Sequence, residues 1–231
     1  MGPRRHCCKS SLGRKLGCAM DSVRLLVADD HEVVRNGVRS LLEAQPGWQV
    51  MAEASNGREA VEQANRLKPD VAVLDIGMPS LNGLEAARQI LRNDPHIKIV
   101  ILTMHESENL IREVLKVGAR GYVSKADAIR DLVTAVKAVR RGLTFFTAKV
   151  GEVMLEGYLG KTGATDSRLT PRQREIIQLL AEGQSSKEIA VTLGLSVKTA
   201  ETHRANIMRR LNCHSISEIV RYAVRNNIIE A

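Results

Sequence analysis

Polar side chains of complementary charge follow four short, largely apolar segments of the sequence. These segments are 23–28, 71–74, 99–102 and 121–124. Such runs predict buried parallel strands, and open α/β sheets bind their ligands at the carboxyl ends of the strands. The groups that we therefore expect to meet at one place are the carboxylates of Asp29, Asp30 and Asp75, the hydroxyl of Thr103 and the ammonium of Lys125.

Three carboxylates at one place require a counter-charge. Two unit charges about 4 Å apart repel by ~4 kcal/mol at an effective dielectric near 20, so the group must take up protons or bind a cation. Carboxylate oxygens at an open site favour octahedral Mg²⁺, which polarises an incoming phosphoryl group. Asp75 can then act as the nucleophile, while Lys125 and Thr103 contact phosphoryl oxygens. The alternative is that each polar residue only caps a strand.

The elements that must position these residues alternate between apolar and helical patterns from Val23 to about Arg141. Helical periodicity covers 31–44, 57–67, 83–93, 107–117 and 127–141, and one more apolar segment covers 48–53. This alternation makes five strand–helix units and predicts a parallel sheet with helices on both faces. The expected fold class is α/β, a five-stranded doubly wound parallel sheet of the flavodoxin-like kind.

The residues from 169 to 229 have a wholly helical pattern instead. Thr170 and Pro171 predict a helix start, and Gly183 predicts its end. A short helix over 186–193 follows, then a turn at 194–195, a helix from Ser196 as its cap to about Leu211, and a last helix over 216–225. Two helices joined by a tight turn with glycine form a helix-turn-helix. We expect a small all-α domain of four helices.

Composition and charge narrow the class of protein. The 231 residues suffice for two small domains, and no apolar segment reaches the ~18 residues that span a membrane. The net charge of +8 comes mostly from residues 1–20, which hold five basic residues and no acidic one. A basic tail alone is weak evidence for nucleic-acid binding. Three of the four cysteines lie in this tail, so a disulfide framework is not indicated and a cytoplasmic location is expected.

We accordingly divide the chain into four parts. Residues 1–20 are expected to be a disordered basic tail, and 21–143 to be the α/β domain. Residues 144–168 are expected to be a linker that contains an amphipathic helix over 147–159 and a flexible segment over 160–167. Residues 169–231 form the predicted helical domain.

The residues at the strand ends carry a family resemblance. Residues 23–141 resemble a response-regulator receiver domain, with its five signature positions occupied by Asp29, Asp30, Asp75, Thr103 and Lys125. The resemblance implies that a histidine kinase phosphorylates Asp75. It also implies that Asp30, Asp75 and the main-chain carbonyl of Gly77 bind Mg²⁺ directly, and that Asp29 helps through water.

Two further positions take roles from the same resemblance. Thr103 and Tyr122 would form the coupled switch pair that responds to the phosphoryl group, although Tyr122 also suits an ordinary strand position. Gly77 has no side chain to tune dephosphorylation, so the lifetime of the phosphoryl group stays open.

The helical part is similar to the LuxR-type DNA-binding domain across nearly all of 169–229. The matching residues are 169–175, 185–190, 195–196, Thr199, His203, Ile207 and Leu211, with Gln173, Ser186 and Ala200 as mild departures. The resemblance implies that Glu201, Thr202 and Ala205 face bases, where Glu can accept from cytosine and Thr can contact a thymine methyl. It implies phosphate contacts for Lys187, Lys198, Thr199, Arg204 and Arg209. His203 is left open between a phosphate contact and helix packing.

Both domains together resemble the NarL/FixJ family of response regulators. The resemblance implies a transcription regulator rather than an enzyme, switched by phosphorylation, that dimerises and binds double-stranded promoter DNA. Two other functions are consistent with parts of the sequence. An aspartyl-nucleophile phosphatase would use Asp75, but it usually needs an acid where Gly77 stands. A phosphorylation-independent regulator or an interaction module would have no use for the acidic site.

Overall fold

The computed structural model describes residues 22–104, 107–147, 150–152 and 169–229. The predicted tail lies outside these residues, and so do the flexible segment and most of the helix predicted over 147–159. Val150, which lies in the described part of that segment, is 1% exposed. Among the described helices, none has both the length and the apolar character needed to span a bilayer.

A five-stranded parallel sheet forms the centre of the N-terminal domain. The strands are β1 (Val23–Ala28), β2 (Trp48–Ala54), β3 (Val71–Asp75), β4 (Lys98–Thr103) and β5 (Gly121–Ser124), in the spatial order β2-β1-β3-β4-β5. All four strand pairs are parallel. Along the chain, β2 is added on one side of β1, and β3, β4 and β5 are added on its other side. This change in the direction of strand addition creates a crevice between β1 and β3, where ligands of such sheets bind. The predicted α/β fold class is confirmed.

The helices cover both faces of this sheet. They are α1 (Glu32–Glu43), α2 (Gly57–Leu67), α3 (Gly83–Asn93), α4 (Glu108–Val117) and α5 (Ala128–Arg140), and each agrees with its predicted segment within about two residues. Successive strand residues point to opposite faces. Leu74 and Ile101 therefore pack in the layer that contains residues of α2, α3 and α4, while Val73 and Val100 pack in the layer that contains residues of α1 and α5.

The C-terminal domain contains four helices around its own core. They are α6 (Pro171–Ala181), α7 (Ser186–Leu193), α8 (Val197–Leu211) and α9 (Ile216–Arg225). Thr170 and Ser185 begin α6 and α7 with complete capping boxes. Gly194 ends α7 with a φ of 63°, a left-handed conformation that glycine adopts without a steric penalty. Helices α7 and α8, with the tight turn between them, form the predicted helix-turn-helix.

The start of α3 lies against the backbone of Asp75, and this contact gives a stability prediction. A Cβ at Gly83 would stand 1.8 Å from the Asp75 carbonyl oxygen, whereas a Cβ at Gly37 in α1 would meet no atom within 4 Å. We expect Gly83→Ala to lower the free energy of unfolding by about 3 kcal/mol, because the main chain at Asp75 or at the start of α3 must move to make room for the Cβ. Gly37→Ala is the matched control and should raise it by about 0.5–1 kcal/mol through helix propensity. Urea denaturation measures both, and equal stabilities would contradict this packing.

Candidate phosphorylation site and DNA-binding helix

The acidic site lies at the carboxyl edge of the sheet, where β1 and β3 are neighbours. Asp29 and Asp30 directly follow β1, and Asp75 is the last residue of β3. Lys125 directly follows β5 and begins a single 3₁₀ turn over Lys125–Asp127. The parallel register alone places all of these residues at the same edge, as the sequence predicts.

Lys125 holds two of the carboxylates together. Its Nζ lies 2.8 Å from Asp29 Oδ2 and 2.9 Å from Asp75 Oδ1. Asp29 is only 1% exposed and Asp75 only 2%. Burial alone would lower the pKa of Lys125, but its bonds to Asp29 and Asp75 outweigh burial and raise that pKa above its ordinary value. Lys125 is therefore a permanent cation beside the nucleophile candidate.

The carboxylates can also approach one cation together. Asp29, Asp30, His31 and Asp75 each offer one ligand atom, and these atoms all lie within 4.8 Å of one another. Three of the four are carboxylates, which is the donor type that hard divalent cations prefer. Asp30 and His31, which follow the buried Asp29, are exposed, so solvent can reach the group from that side. The residues present therefore fit a hard divalent cation that keeps several waters.

The sequence did not predict that His31 belongs to this group. The main-chain N–H of His31 donates to Asp29 Oδ1 over 2.8 Å, and its Nδ1 lies 2.8 Å from Asp30 Oδ1. His31 precedes the first residue of α1, so the helix start turns its ring back to the two aspartates. Only its position directly after Asp29 and Asp30 could have signalled this role.

The predicted switch residues are both buried near this edge. Thr103 ends β4 and is 0% exposed, and it directly follows Leu102, whose partner across the sheet is Asp75. Tyr122 is 1% exposed and packs in the layer that contains residues of α3 and α4. Gly77 lies two residues beyond Asp75, in the loop between β3 and α3. The structure thus puts Thr103 at the acidic edge and Tyr122 inside the adjacent core.

Helix α8 presents a continuous polar face. Ser196 begins the helix, and its hydroxyl accepts the Thr199 N–H over 3.1 Å. Ala200 and Ile207 are buried in the domain core. Most of the residues predicted to contact DNA are exposed. They are Lys187 in α7 and Lys198, Thr199, Glu201, Thr202, Ala205 and Arg209 in α8.

Two more of the predicted DNA-contact residues are half-buried. His203 and Arg204 both have intermediate exposure, which is consistent with either role considered for His203. The Thr202 hydroxyl donates to the Lys198 carbonyl over 2.8 Å, and Thr202 is exposed. An exposed polar helix of this length can enter a major groove.

Comparisons with known proteins match both domains to known families. Residues 25–137 match the response regulator receiver domain family, and residues 167–223 match the family of bacterial regulatory proteins described as luxR. The oxygen regulatory protein NreC of Staphylococcus carnosus is 36% identical over 90% of this chain and 100% of its own length. The transcriptional regulatory protein LiaR of Bacillus subtilis is 35% identical over 90% of this chain and 99% of its own.

Solved structures of response regulators are also similar. A LuxR-family two-component response regulator from Aurantimonas sp. SI85-9A1 is 33% identical with a TM-score of 0.56, over 60% of this chain and 99% of its own. The response regulator RcsB, solved in a complex with DNA, is 27% identical with a TM-score of 0.55, over 89% of this chain and 99% of its own. The fold and both sites define a two-domain response regulator with a LuxR-type DNA-binding domain. The chain belongs to the NarL/FixJ family of response regulators.

Proposed function

We propose that this response regulator takes a phosphoryl group onto Asp75 from a histidine kinase and then binds promoter DNA as a dimer. The observation that carries the proposal is the pocket in which Lys125 contacts both Asp29 and Asp75. A buried carboxylate beside a fixed cation and a group of metal-capable oxygens is suited to nucleophilic attack on phosphorus. The LuxR-type domain in the same chain supplies the output.

In this proposal the acidic residues hold Mg²⁺. Asp30, Asp75 and the main-chain carbonyl of Gly77 would bind it directly, and Asp29 would help through water. When bound, the ion neutralises the carboxylates and polarises the phosphoryl oxygens. The support is the grouping of the Asp29, Asp30 and Asp75 oxygens within 4.8 Å of one another.

The residues of this chain then perform the transfer. A carboxylate oxygen of Asp75 forms the new P–O bond while the P–N bond of the kinase phosphohistidine breaks. The electron pair of that bond returns to the imidazole nitrogen. Lys125, already beside Asp75, pairs with one phosphoryl oxygen, and the Thr103 hydroxyl donates to another.

The phosphoryl group then changes the domain's surface. Movement of Thr103 towards the phosphoryl oxygen would vacate space that Tyr122 can occupy, and such a two-state repacking is a usual response to a new local charge. The altered face would favour a homodimer, and two recognition helices would then read half-sites about one DNA turn apart. Because the protein must meet both the histidine kinase and promoter DNA, we propose that it acts in the cytoplasm.

A regulator is favoured over a phosphatase by Gly77. Aspartyl-nucleophile phosphatases need an acid near the nucleophile to protonate the leaving group, and Gly77 has no side chain. We expect the modified protein to accumulate in the presence of a small acyl phosphate, with phosphate release limited by the lifetime of the phosphoryl group on Asp75. Rapid phosphate release without accumulation of modified protein would favour the phosphatase instead.

The polar face of α8 gives a prediction on DNA recognition. We expect Lys198→Ala to weaken binding to all DNA sequences and to lower the salt slope by about 1, because a phosphate contact is lost. Thr202→Ala should instead reduce the free energy of binding by about 1–3 kcal/mol on DNA that carries the base preferred at the Thr202 position. It should also weaken the discrimination between bases at that position. Gel-shift titrations over a salt series on selected and randomised DNA separate the two. A sequence-independent loss in Thr202→Ala would contradict its base-facing role.

Genome-wide binding tests the function as a whole. A tagged wild-type protein and a tagged Asp75→Ala variant are compared in the same cells under a condition that activates the kinase. We expect the wild type to occupy a defined set of promoters and Asp75→Ala to occupy them weakly. Equal occupancy by both proteins would leave DNA binding in place and remove the phosphorylation switch.

A further inference from the structure

A short segment after α5, residues 144–146, extends the sheet beyond β5. Phe145 forms a parallel bridge with Gly121 of β5. The Phe145 N–H donates to the Arg120 carbonyl over 2.9 Å, and the Phe145 carbonyl accepts the Tyr122 N–H over 2.9 Å. Because β5 is the last strand in the order β2-β1-β3-β4-β5, this edge segment covers part of the open side of the sheet.

The two phenylalanines of the chain hold the edge segment on both faces of the sheet. Phe145 packs against the layer that contains residues of α1 and α5, whereas Phe146 packs against the layer that contains residues of α2, α3 and α4. Val150, a few residues later, is buried in the second layer. Neighbouring residues that point to opposite faces are typical of a strand. The edge segment is therefore attached to the core of the N-terminal domain.

The register of this pairing places Phe146 beside the predicted switch residue Tyr122. Because Phe145 pairs with Gly121 in parallel, the residues that follow them, Phe146 and Tyr122, are neighbours across the two chains. Both side chains belong to the same layer. Adjacent chains of a sheet are about 4.8 Å apart, which is close enough for two aromatic rings to pack together. Tyr122 is thus joined to the edge segment by a main-chain hydrogen bond and by side-chain packing.

We propose that Phe146 is a further residue of the switch, and that the edge segment carries the state of Tyr122 towards the helical domain. This inference rests on the proposed function, in which Tyr122 moves into space vacated by Thr103. That movement takes the Tyr122 ring away from Phe146, which then loses its neighbour on that face of the sheet. The pairing of the edge segment with β5 loosens as a result, because it consists of two hydrogen bonds at the margin of the sheet.

Loosening of the edge segment changes how far the helical domain can reach. Residues 147–168 connect the edge segment to Leu169, which is buried in the core of the helical domain. Release of three more residues lengthens this connection by up to about 10 Å, at roughly 3.3–3.6 Å for each residue. A longer connection makes it easier for two helical domains of a dimer to occupy half-sites at a fixed spacing.

The experiment measures amide hydrogen exchange over residues 120–124 and 143–147 of the full-length protein, with and without a small acyl phosphate and Mg²⁺. In the modification, a P–O bond forms to Asp75, the P–O bond between phosphorus and the acyl group of the donor breaks, and the acyl carboxylate leaves with the electron pair. The donor is kept in excess, and intact-protein mass spectrometry measures the modified fraction. We expect phosphorylation to raise exchange in both segments about tenfold. Asp75→Asn treated in the same way should show no change.

Phe146→Ala tests the ring itself, and Leu143→Ala is the matched control. Leu143 is an apolar residue just before the edge segment, but it is 60% exposed. We expect Phe146→Ala to be modified at the wild-type rate and to exchange fast over 143–147 before modification. The gain in DNA affinity on phosphorylation, measured by gel shift, should fall to less than about twofold in this variant. Leu143→Ala should match the wild type in all three measurements.

Phe145→Pro guards against a folding defect in Phe146→Ala. Proline removes the N–H that donates to the Arg120 carbonyl, and the edge of a sheet tolerates proline. We expect fast exchange over 120–124 and the same loss of the DNA response, while unchanged exchange over β3 shows that the sheet is intact.

Unchanged exchange over 143–147 in the phosphorylated wild type would overturn the inference, and this comparison does not depend on any variant. A wild-type DNA response in both Phe146→Ala and Phe145→Pro would overturn it as well. If the wild type is not modified at all, the proposed function fails, and this inference fails with it.

Discussion

Asp75→Asn is expected to abolish modification of the protein by a phosphoryl donor in the presence of Mg²⁺. The amide keeps the size of the carboxylate but is not a nucleophile, so we expect the rate to fall at least about 100-fold. Intact-protein mass spectrometry with peptide mapping measures both the rate and the modified residue. Because Asp75 is buried and contacts Lys125, a substitution of equal size should leave the fold in place.

The matched control lies just before the other end of the same strand. Asp70 precedes β3 and bonds to Arg24 over 2.8 and 3.1 Å, far from the acidic edge. Its bonds to Arg24 lower the pKa of Asp70 against the effect of burial, so it is charged at neutral pH. Asp70→Asn should be modified at the wild-type rate. Undiminished modification of Asp75→Asn would show that another residue is the acceptor.

Lys125→Met is expected to lower the free energy of unfolding by about 3 kcal/mol at neutral pH without divalent cations. Removing one partner of a buried ion pair leaves an uncompensated charge, and here two carboxylates lose the same partner. Those carboxylates then repel, which favours their protonated forms. The deficit should therefore shrink as the pH falls towards 5, and it should also shrink on addition of Mg²⁺. Urea denaturation over these conditions measures the effect.

Lys137→Met on α5 provides the control for this experiment. Lys137 is exposed and lies 3.4 Å from the Gln45 side chain, so its removal should change stability by less than about 0.5 kcal/mol. If Lys125→Met matched the wild type without Mg²⁺, the ammonium would not be the counter-charge of the acidic group. A deficit that Mg²⁺ did not reduce would argue against a cation site formed by the same carboxylates.

The sequence predicts the strands and the acidic edge well, and the physical reason is local. Strands such as Val71–Asp75 are buried on both faces, so they are continuous apolar runs that end abruptly at a polar residue. Parallel register then brings the ends together without further information. The turn of the helix-turn-helix is predictable for a similar reason, because Ser185, Gly194 and Ser196 are capping residues at fixed distances.

The contact between the two domains could not be predicted in this way. The Gln178 side chain of α6 accepts the Asn82 N–H over 2.8 Å, but the two residues are 96 residues apart, and neither belongs to a periodic pattern that would reveal its partner. A buried glutamine on the face of α6 has no signature in the sequence, because its partners are main-chain groups of another domain. His31 was missed for a related reason, since its role depends on the direction in which α1 begins.

The exposed face of α8 also changes what phosphorylation is expected to do. A switch that worked by uncovering the recognition helix would require this helix to be covered when the two domains are in contact. Glu201, Thr202 and Ala205 are exposed while the domains are docked. Release would then act through the geometry of pairing rather than by uncovering these residues, because two domains must reach half-sites at a fixed spacing.

DNA affinity with and without a phosphoryl group tests the central claim most directly. The DNA is selected from a random pool by the full-length protein, and gel shifts then measure unmodified wild type, phosphorylated wild type and Asp75→Asn treated with the same donor. We predict that phosphorylation tightens binding by about tenfold and that Asp75→Asn does not respond, as for an ordinary coupling between two sites. Equal affinity of the phosphorylated and unmodified wild type would contradict control of DNA binding by Asp75.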